Sequence, residues 1–567
     1  CTHSGGTQRA KNRKKTGKGN RRTHSKAEKG LHGMAEKFFR PRPGTRRGSF
    51  KMVVDTLYRD SGKEASSDFT FDKPVLEAFI KHIYEKDFHP MTDIELDMFL
   101  AVWNKLDIAT DKGFGEREPD DPDYDFYREL QTNNAVFAAF KVHRMQNDMA
   151  ALLLDSNGIL KPFEQWAREA MPIADHQVYQ WLQTEYDTAV IRAHQAADWK
   201  QFEREKDILP NLKWMPSTSL HPGADHRLFW GTIRPIEDAF WNEHRPGDRW
   251  NCKCSLSSTD EEPTQLPESD PASKPQAGLE NNPGKDAKLF SDKHPYQSEA
   301  HAGAKKAVDR LTERINEMID EMPDNLTYEE KKAIAVNNLE LEKALGIKKG
   351  KPMSVEEADK QNANPKHADE FVLDPNGIFY DKGGRRYRKN ADYDKKKHKP
   401  YNINCQTCAP AYALRLKGFD ITAKGNIPGS KLEYLSKGRA FEIWKNIDGT
   451  PAKHISINDW LLTKGYLKMT PKRYWEYFNE VCKEEGVYEL CIGWKNGGGH
   501  ATILQRFANG ELRYIEPQSD NSKGSGMEWK DVKYLCDIGA PNSHSCRGLM
   551  RIDNKLFDIG FFDIFDI

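Results

Sequence analysis

Long hydrophobic runs, an excess of one charge and a dense set of cysteines are all missing from this sequence of 567 residues. We find no run of about 18 apolar residues, which argues against a transmembrane helix and a membrane partner. The 86 basic residues are balanced by 86 acidic ones, so no overall field draws the chain to nucleic acid. Nine cysteines are too few and unevenly numbered for a secreted disulfide scaffold. We expect a polar, reduced protein of several domains.

Charge is distributed unevenly at the N-terminus. Residues 1–50 contain 15 lysines and arginines against two acidic residues, and they show no apolar period. This composition predicts a disordered basic arm. Residues 9–47 would then contact nucleic acid through its phosphates, without sequence preference. A solvated tail with no partner explains the same composition equally well.

Hydrophobic periodicity divides the rest of the chain. Residues 70–256 begin with apolar residues three and four positions apart, typical of amphipathic helices, and end in an irregular stretch rich in Pro, Gly, His and Trp. Residues 257–295 combine Pro, Ser, Asp and Glu with few aliphatic residues, and they predict a linker that proteases cut first. Residues 296–350 return to a charged amphipathic pattern and predict a helical spacer.

The C-terminal part mixes helix and strand patterns. Within residues 353–530, three segments alternate apolar and polar residues and predict β-strands: 488–494, 500–507 and 511–517. Residues 531–567 follow as a C-terminal extension. The predicted fold class is multidomain, with a mainly α N-terminal module and a C-terminal α+β domain.

Histidines and cysteines are concentrated near residue 250. The candidate metal ligands of this stretch are His221, His226, His244, Cys252 and Cys254. Structural zinc sites usually pair cysteines two to four residues apart, whereas here a single residue separates the two cysteines. We therefore favour a packed module stabilised by His and Trp, without a metal, over a zinc site.

The same stretch resembles the head-morphogenesis domain of Mu-like tailed phages, the minor head protein family. The resemblance rests on the Trp-x-Cys-basic-Cys run of residues 250–254 and on His221, Pro235, Phe240 and Trp241. It covers roughly residues 70–256. It implies a structural protein of the virion or prohead, found in the virion or the bacterial host cytoplasm, with phage portal and capsid proteins as partners.

A second set of residues is suited to catalysis. Cys405 and Cys408 stand near the start of an amphipathic segment, where the positive end of a helix dipole favours a thiolate. His500 follows three glycines at the start of a predicted strand, and Glu516 and Gln518 follow the next strand. Cysteine, then histidine, then a carboxylate or amide is a papain-like order, in which the histidine takes the thiol proton and the third residue orients the imidazole.

Residues 353–530 resemble the papain-fold toxin family of glutamine deamidases, found in bacterial polymorphic toxins and at the C-termini of prophage head proteins. The resemblance rests on residues 353–359, 364–365, 404–406, 499–500 and 516–518. It implies a papain-like domain that deamidates glutamine side chains of a protein substrate without a cofactor, and an effector delivered to a target cell. The family usually has aspartate where this chain has Glu516.

Several alternatives stay open. The resemblance favours Cys405 as the nucleophile, in a loop before the helix, whereas Pro410 favours Cys408, because a helix beginning there places the proline in its first turn. The two cysteines could also form a redox pair or half a zinc site, although no second CxxC accompanies them. A purely structural minor capsid protein, whose C-terminal domain is a maturation cysteine protease or an inactive decoration, is the alternative function.

Overall fold

The computed structural model describes residues 47–59, 69–219, 224–268, 273–369, 400–493, 499–518 and 547–567. The chain forms two compact units that divide between Asp309 and Arg310. In the described ranges, no helix is long and apolar enough to cross a membrane. Residues 1–46, most of the predicted basic arm, lie outside the described residues, and residues 47–50 belong to a helix in which Phe50 is buried.

The first unit is mainly helical, as the periodicity predicts. Its helices are α1 (Arg47–Leu57), α2 (Lys73–Tyr84), α3 (Leu96–Phe114), α4 (Tyr124–Ala150), α5 (Phe163–His176) and α6 (Gln183–Glu205). A π-helical turn, Gln177–Leu182, joins α5 to α6. Short helical turns follow at Ala224–Arg227, Phe240–Glu243, Pro283–Asp286 and Pro295–Ser298.

Helix α3 packs against α4 and α6. Its apolar residues recur at three- and four-residue spacing, so Phe99, Trp103 and Leu106 are all buried on one side. Gly113 allows α3 to approach α6 closely, because a Cβ at this position would lie 2.2 Å from the backbone oxygen of Val190. Any larger residue there would separate the two helices.

A small antiparallel sheet follows α6. Its strands are β1 (Asn211–Met215), β2 (Ile233–Pro235) and β3 (Ser255–Thr259), in the order β2-β1-β3. The core beside them is aromatic: Trp214 and Trp241 are fully buried, and the indole N–H of Trp241 donates to the carbonyl of Pro235 at 2.9 Å. This part of the chain is the packed, tryptophan-rich module that the sequence predicts.

Residues 273–295 are not an exposed linker. Leu279, Leu289 and Phe290 are buried, and the ring of Phe290 stacks on Trp250 with centroids 5.3 Å apart. The expectation of a linker is therefore wrong for residues 273–295, whereas residues 260–268 are mostly exposed. A low aliphatic content was a poor guide here, because a few apolar side chains are enough when polar groups anchor the backbone between them.

Arg192 of α6 is the main polar anchor of that segment. Its guanidinium is fully buried and donates to the carbonyl oxygens of Leu289 at 2.5 Å, Gly247 at 2.6 Å and Asn281 at 2.9 Å. A buried guanidinium needs such acceptors, and buried carbonyl groups need such a donor. One side chain thus holds together pieces of chain that are far apart in sequence.

The second unit contains helices on both faces of a sheet. Helix α7 (Ala304–Asp320) runs through the division between the units. The other principal elements are α8 (Tyr328–Leu345), α9 (Cys405–Leu416), β4 (Ile455–Ser456), α10 (Ile457–Thr463), α11 (Pro471–Val481), β5 (Gly486–Gly493), β6 (Gly499–Arg506), β7 (Leu512–Ile515) and β8 (Gly548–Arg551). Short helical pieces lie at Val355–Ala358, Lys360–Ala363, Lys366–Asp369, Pro400–Asn402, Lys431–Leu435, Ala440–Ile443 and Ile559–Ile564.

The five-stranded sheet is antiparallel and has the order β4-β8-β5-β6-β7. Side chains alternate between its faces, so Ile503 joins the apolar cluster that contains α9, and Leu504 joins the cluster that contains α10 and α11. Two further strand pairs join Thr422–Ala423 to Phe565–Asp566 and Trp444–Lys445 to Leu556–Phe557. The three strands predicted from the sequence are confirmed as β5, β6 and β7.

Two predicted boundaries of this unit are wrong. Residues 547–567 are not an extension, because β8 lies inside the sheet between β4 and β5. Helix α8 is not an independent spacer, since Leu341 and Leu345 are buried in the same cluster as α9. Both errors have one cause: hydrophobic pattern identifies an element but does not identify the surface against which it packs.

Candidate active site

His500 and Glu516 form a buried pair on neighbouring strands. His500 lies on β6, Glu516 directly follows β7, and the Nε2 atom of His500 is 2.6 Å from a carboxylate oxygen of Glu516. Since a carboxylate only accepts, the histidine donates its Nε2 proton. The hydroxyl of Tyr514 and the backbone N–H of Gln518 donate to the same carboxylate at 3.3 and 3.1 Å. Glutamate is one methylene longer than the aspartate that the resembling family usually has, and its carboxylate still reaches the imidazole.

Cys405 is the first residue of α9 and is half-buried. Its side chain interacts with that of His500, and Nδ1 is the ring nitrogen of His500 that does not face Glu516. The sulfur also lies 3.3 Å from the side-chain oxygen of Gln406. Gln406 is itself fixed, because its amide nitrogen donates to the carbonyl of Leu432 at 3.1 Å. The thiol is thus placed at a helix N-terminus beside an imidazole.

Cys408 occupies a different environment. It has no exposed surface and packs in the apolar cluster around α9. Burial raises the pKa of Cys408 well above its ordinary value, and the negative charges of Cys405 and Glu516 add to that effect. A buried thiol of this kind is unreactive. Of the two candidate nucleophiles, the geometry therefore favours Cys405.

The helix does not begin where Pro410 suggests. The helix starts at Cys405. The prediction that Cys405 lies in a loop before the helix is therefore wrong, and so is the prediction that the helix begins near Cys408. Pro410 lies inside the helix, where it cannot donate to the carbonyl of Gln406. At the other end, Gly418 has φ +102°, and a Cβ there would lie 2.3 Å from the backbone oxygen of Gly350. The helix therefore ends where the sequence predicts.

Gln518 supplies the N-terminal cap of α9. The Asn404 side chain does not cap the helix. The orientation of the Gln518 carboxamide that satisfies its neighbours turns its oxygen to three backbone N–H groups, those of Asn404 at 3.0 Å, Cys405 at 3.1 Å and Ile403 at 3.3 Å. An acceptor in this position satisfies donors that a helix start leaves unpaired. Gln518 thus positions the candidate nucleophile instead of contacting its sulfur.

Two buried asparagines complete the support behind Cys405. The Asn364 amide donates to the backbone oxygens of Gln518 at 3.0 Å and Tyr401 at 3.1 Å. The Asn404 amide donates to the side-chain oxygen of Asn364 at 3.1 Å. In the sequence these asparagines carry the family resemblance without an assigned role. Their positioning role, and the contact of Tyr514 with Glu516, could not be deduced from the sequence.

The charge of the site is set by opposing effects on His500. Burial lowers the pKa of His500, but the charge of Glu516 and the hydrogen bonds with Cys405 and Glu516 outweigh burial and raise it to about 10. The imidazole is therefore protonated near neutral pH and faces the thiol with a positive charge. A positively charged imidazole beside a cysteine is the arrangement used in general acid–base catalysis at a thiol.

Comparison with known families identifies part of the first unit. Residues 161–257 match the family described as Phage Mu protein F like protein. The match includes α5, α6, β1, β2 and the first part of β3, and it ends just after the Cys252–Cys254 run. His221, one of the residues that carry the resemblance, lies outside the described residues. No match to the chain was found among curated proteins or solved structures.

Proposed function

We propose that the second unit is a cysteine-dependent amide hydrolase that deamidates glutamine side chains of a protein substrate. The observation that supports it is the position of His500 between the Glu516 carboxylate and the Cys405 thiol. In this arrangement Cys405 is the nucleophile, His500 the general acid and base, and Glu516 the group that orients the imidazole. The preference for a glutamine side chain comes from the family resemblance of residues 353–530.

The first half of the reaction forms a thioester. The Cys405 thiolate attacks the carboxamide carbon of the substrate and forms the C–S bond, while the carbonyl electrons move to oxygen. As the carbonyl reforms, the C–N bond breaks and His500 donates its proton to the nitrogen, so ammonia leaves. The Glu516 carboxylate holds the imidazole in one orientation while the Nδ1 proton is given up.

The second half regenerates the enzyme. Neutral His500 takes a proton from water, and the resulting hydroxide attacks the thioester carbon. The C–S bond breaks and the thiolate leaves, so the substrate glutamine has become glutamate. The same steps cleave a peptide bond when the leaving nitrogen belongs to the main chain, so a maturation protease is the second outcome of the experiment below.

The first unit supports a structural role in the same chain. The Mu F-like domain at residues 161–257 indicates a phage head morphogenesis protein, which would associate with other capsid proteins in the virion or in the host cell during assembly. We propose that the hydrolase is carried by this head protein. The whole chain would then bring an amide-hydrolysing activity wherever the head protein is placed.

The test is mass spectrometry of proteins exposed to the full chain. Deamidation increases the mass of a target by about 1 Da per site without cleavage, because an amide becomes an acid. We expect such shifts with the wild type and with Cys408→Ala, and none with Cys405→Ala or His500→Ala. Peptide fragments that depend on Cys405 would instead support a protease. Absence of both products, with host and phage head proteins as substrates, would support an inactive decoration.

A further inference from the structure

A second group of reactive side chains lies in the first unit. The ligand atoms of His226, Cys252 and Cys254 all lie within 4.8 Å of one another. His226 comes from the turn Ala224–Arg227, and the cysteines directly precede β3. The Nδ1 atom of His226 is 3.2 Å from the sulfur of Cys252. Among the described residues, this is the group of metal-binding side chains that converges on one point.

We propose that His226, Cys252 and Cys254 bind a zinc ion. In tetrahedral zinc coordination, with Zn–S and Zn–N bonds of about 2.3 and 2.0 Å, neighbouring ligand atoms are about 3.5–3.8 Å apart. The spacing of these three side chains is compatible with that geometry after small rotations. Two thiolates neutralise the charge of the ion, which favours binding in a buried place. A fourth coordination position remains for water or another ligand.

The orientation of His226 favours a metal at Nδ1. Its other nitrogen, Nε2, lies 2.6 Å from a carboxylate oxygen of Asp248, which can only accept. Nε2 therefore carries the proton when the ring is neutral, and the lone pair of Nδ1 faces the cysteines. Asp248 is completely buried and is held by the backbone N–H of Arg245 at 3.2 Å. A carboxylate that orients a ligating histidine in this way is common at zinc sites.

The backbone explains how cysteines one residue apart can share an ion. Asn251 has φ +59°, a left-handed conformation that turns the chain immediately before Cys252. The backbone N–H of Cys252 closes this turn on the carbonyl of Arg249 at 3.1 Å. The two sulfurs are thereby brought to the same histidine. The one-residue spacing of the cysteines argues against a metal only if they lie in a regular zinc-binding turn. The turn that contains Asn251 is not of that kind.

The surroundings of the group exclude water from one side. The indole of Trp214 meets the His226 ring edge-on with centroids 5.1 Å apart, and Cys254 packs in the aromatic cluster that contains Trp214 and Trp241. A metal in this position would connect the Ala224–Arg227 turn, the Cys252 turn and β3. We expect it to stabilise the Mu F-like domain, because such binding energy adds to folding energy.

Metal analysis of the full chain tests the proposal. The protein is purified with a thiol reductant and without chelators, and zinc is measured by elemental mass spectrometry. We expect about one zinc per chain. Cys252→Ser and Cys254→Ser should each reduce the zinc content severalfold, whereas Cys405→Ala and Cys408→Ala, the matched pair of cysteines in the second unit, should retain it. Zinc that follows Cys405 or Cys408, or a wild type without zinc, would overturn the proposal.

A measurement on the wild-type protein tests zinc binding even if the cysteine variants fail to fold. Cysteine alkylation is compared by peptide mass spectrometry with added zinc and after chelation. We expect zinc to protect Cys252 and Cys254 and chelation to expose them, with little change at Cys482. Asp248→Asn should retain the site but weaken zinc affinity by about tenfold or more. Equal alkylation of Cys252 and Cys254 in both conditions would contradict zinc binding.

Discussion

With its carboxamide in the orientation that satisfies its neighbours, Gln518 places its side-chain oxygen 3.1 Å from the backbone nitrogen of Cys405. This contact joins the end of β7 to the first residue of α9. Because Glu516 lies two residues before Gln518, the same short segment fixes both the helix that carries the thiol and the carboxylate that orients His500. The distance between thiol and imidazole therefore depends on one strand end.

Gln518→Ala should loosen this connection. Loss of the cap removes this acceptor from the N–H groups of Asn404 and Cys405, and we expect the second unit to lose about 1–2 kcal/mol of stability. Gln518→Glu keeps an acceptor and adds a negative charge at a helix N-terminus, so it should retain most of the stability. Urea unfolding, followed by a signal from the second unit, measures both. Equal stability of Gln518→Ala and the wild type would refute the capping role.

Cys405 should be the fastest-reacting thiol among the cysteines of the second unit that the structure describes. The half-buried Cys405 faces a protonated imidazole, whereas burial raises the pKa of Cys482 to about 12 and that of Cys408 well above its ordinary value. We expect iodoacetamide to modify Cys405 first near neutral pH, and His500→Ala to slow this reaction by about tenfold. Peptide mass spectrometry gives the rate at each cysteine. A rate at Cys405 that is insensitive to His500→Ala would favour a structural role for the CxxC.

The His500–Glu516 pair should make stability depend on pH. The pKa of His500 is raised to about 10 in the folded protein, against about 6.5 in an unfolded chain. Its contribution is therefore fully present below about pH 6.5 and is lost as the pH rises through about 10, by an amount on the order of a few kcal/mol. Glu516→Gln should flatten this decline in urea unfolding measured between these pH values.

The matched control for that experiment is Glu511→Gln. Glu511 is an exposed partner of Arg513 and directly precedes the start of the same strand, and exposed ion pairs contribute little. We expect its pH profile to follow the wild type. An identical decline in wild type and Glu516→Gln would mean that the pair does not set the charge of the imidazole.

Arg192→Leu should release the segment that the sequence marks as a linker. The substitution leaves buried carbonyl oxygens of Gly247, Leu289 and Asn281 without their donor, and we expect a loss of about 3 kcal/mol or more in the first unit. Limited proteolysis should then cut residues 279–296 quickly, whereas the wild type resists there. Arg204→Leu on the same helix is the control, because Arg204 is half-exposed. Rapid cleavage of the wild type in this segment would contradict the observed packing.

The sequence predicted the elements whose position follows from a single local pattern of apolar residues. Period-two alternation located β5, β6 and β7, and helical spacing located the long helices of the first unit. The order of Cys405, His500 and Glu516 along the chain predicts a papain-like site, and the structure pairs His500 with Glu516 and places Cys405 at the start of α9. These are local signals, and the structure agrees with them.

Local patterns did not predict which residues far apart in the sequence would contact each other. Nothing in the composition of residues 257–295 shows that Arg192 lies opposite their carbonyl groups. The short apolar run that forms β8 does not reveal which strands it joins. Cys252 and Cys254 are too close in sequence to resemble a regular zinc site, and only the positive φ of Asn251 together with the distant Asp248 brings them into a favourable arrangement with His226.

The place of β8 has a consequence for the order in which the second unit can assemble. The strand follows β5, β6 and β7 in sequence, yet it lies between β4 and β5. The described sheet therefore joins β4 to its other strands only through β8. Every proposed catalytic residue precedes β8, so a chain cut before residue 548 would keep all of them and lose the connection of β4 to the sheet. The sheet that supports His500 is thus completed by a strand that carries none of the proposed catalytic residues.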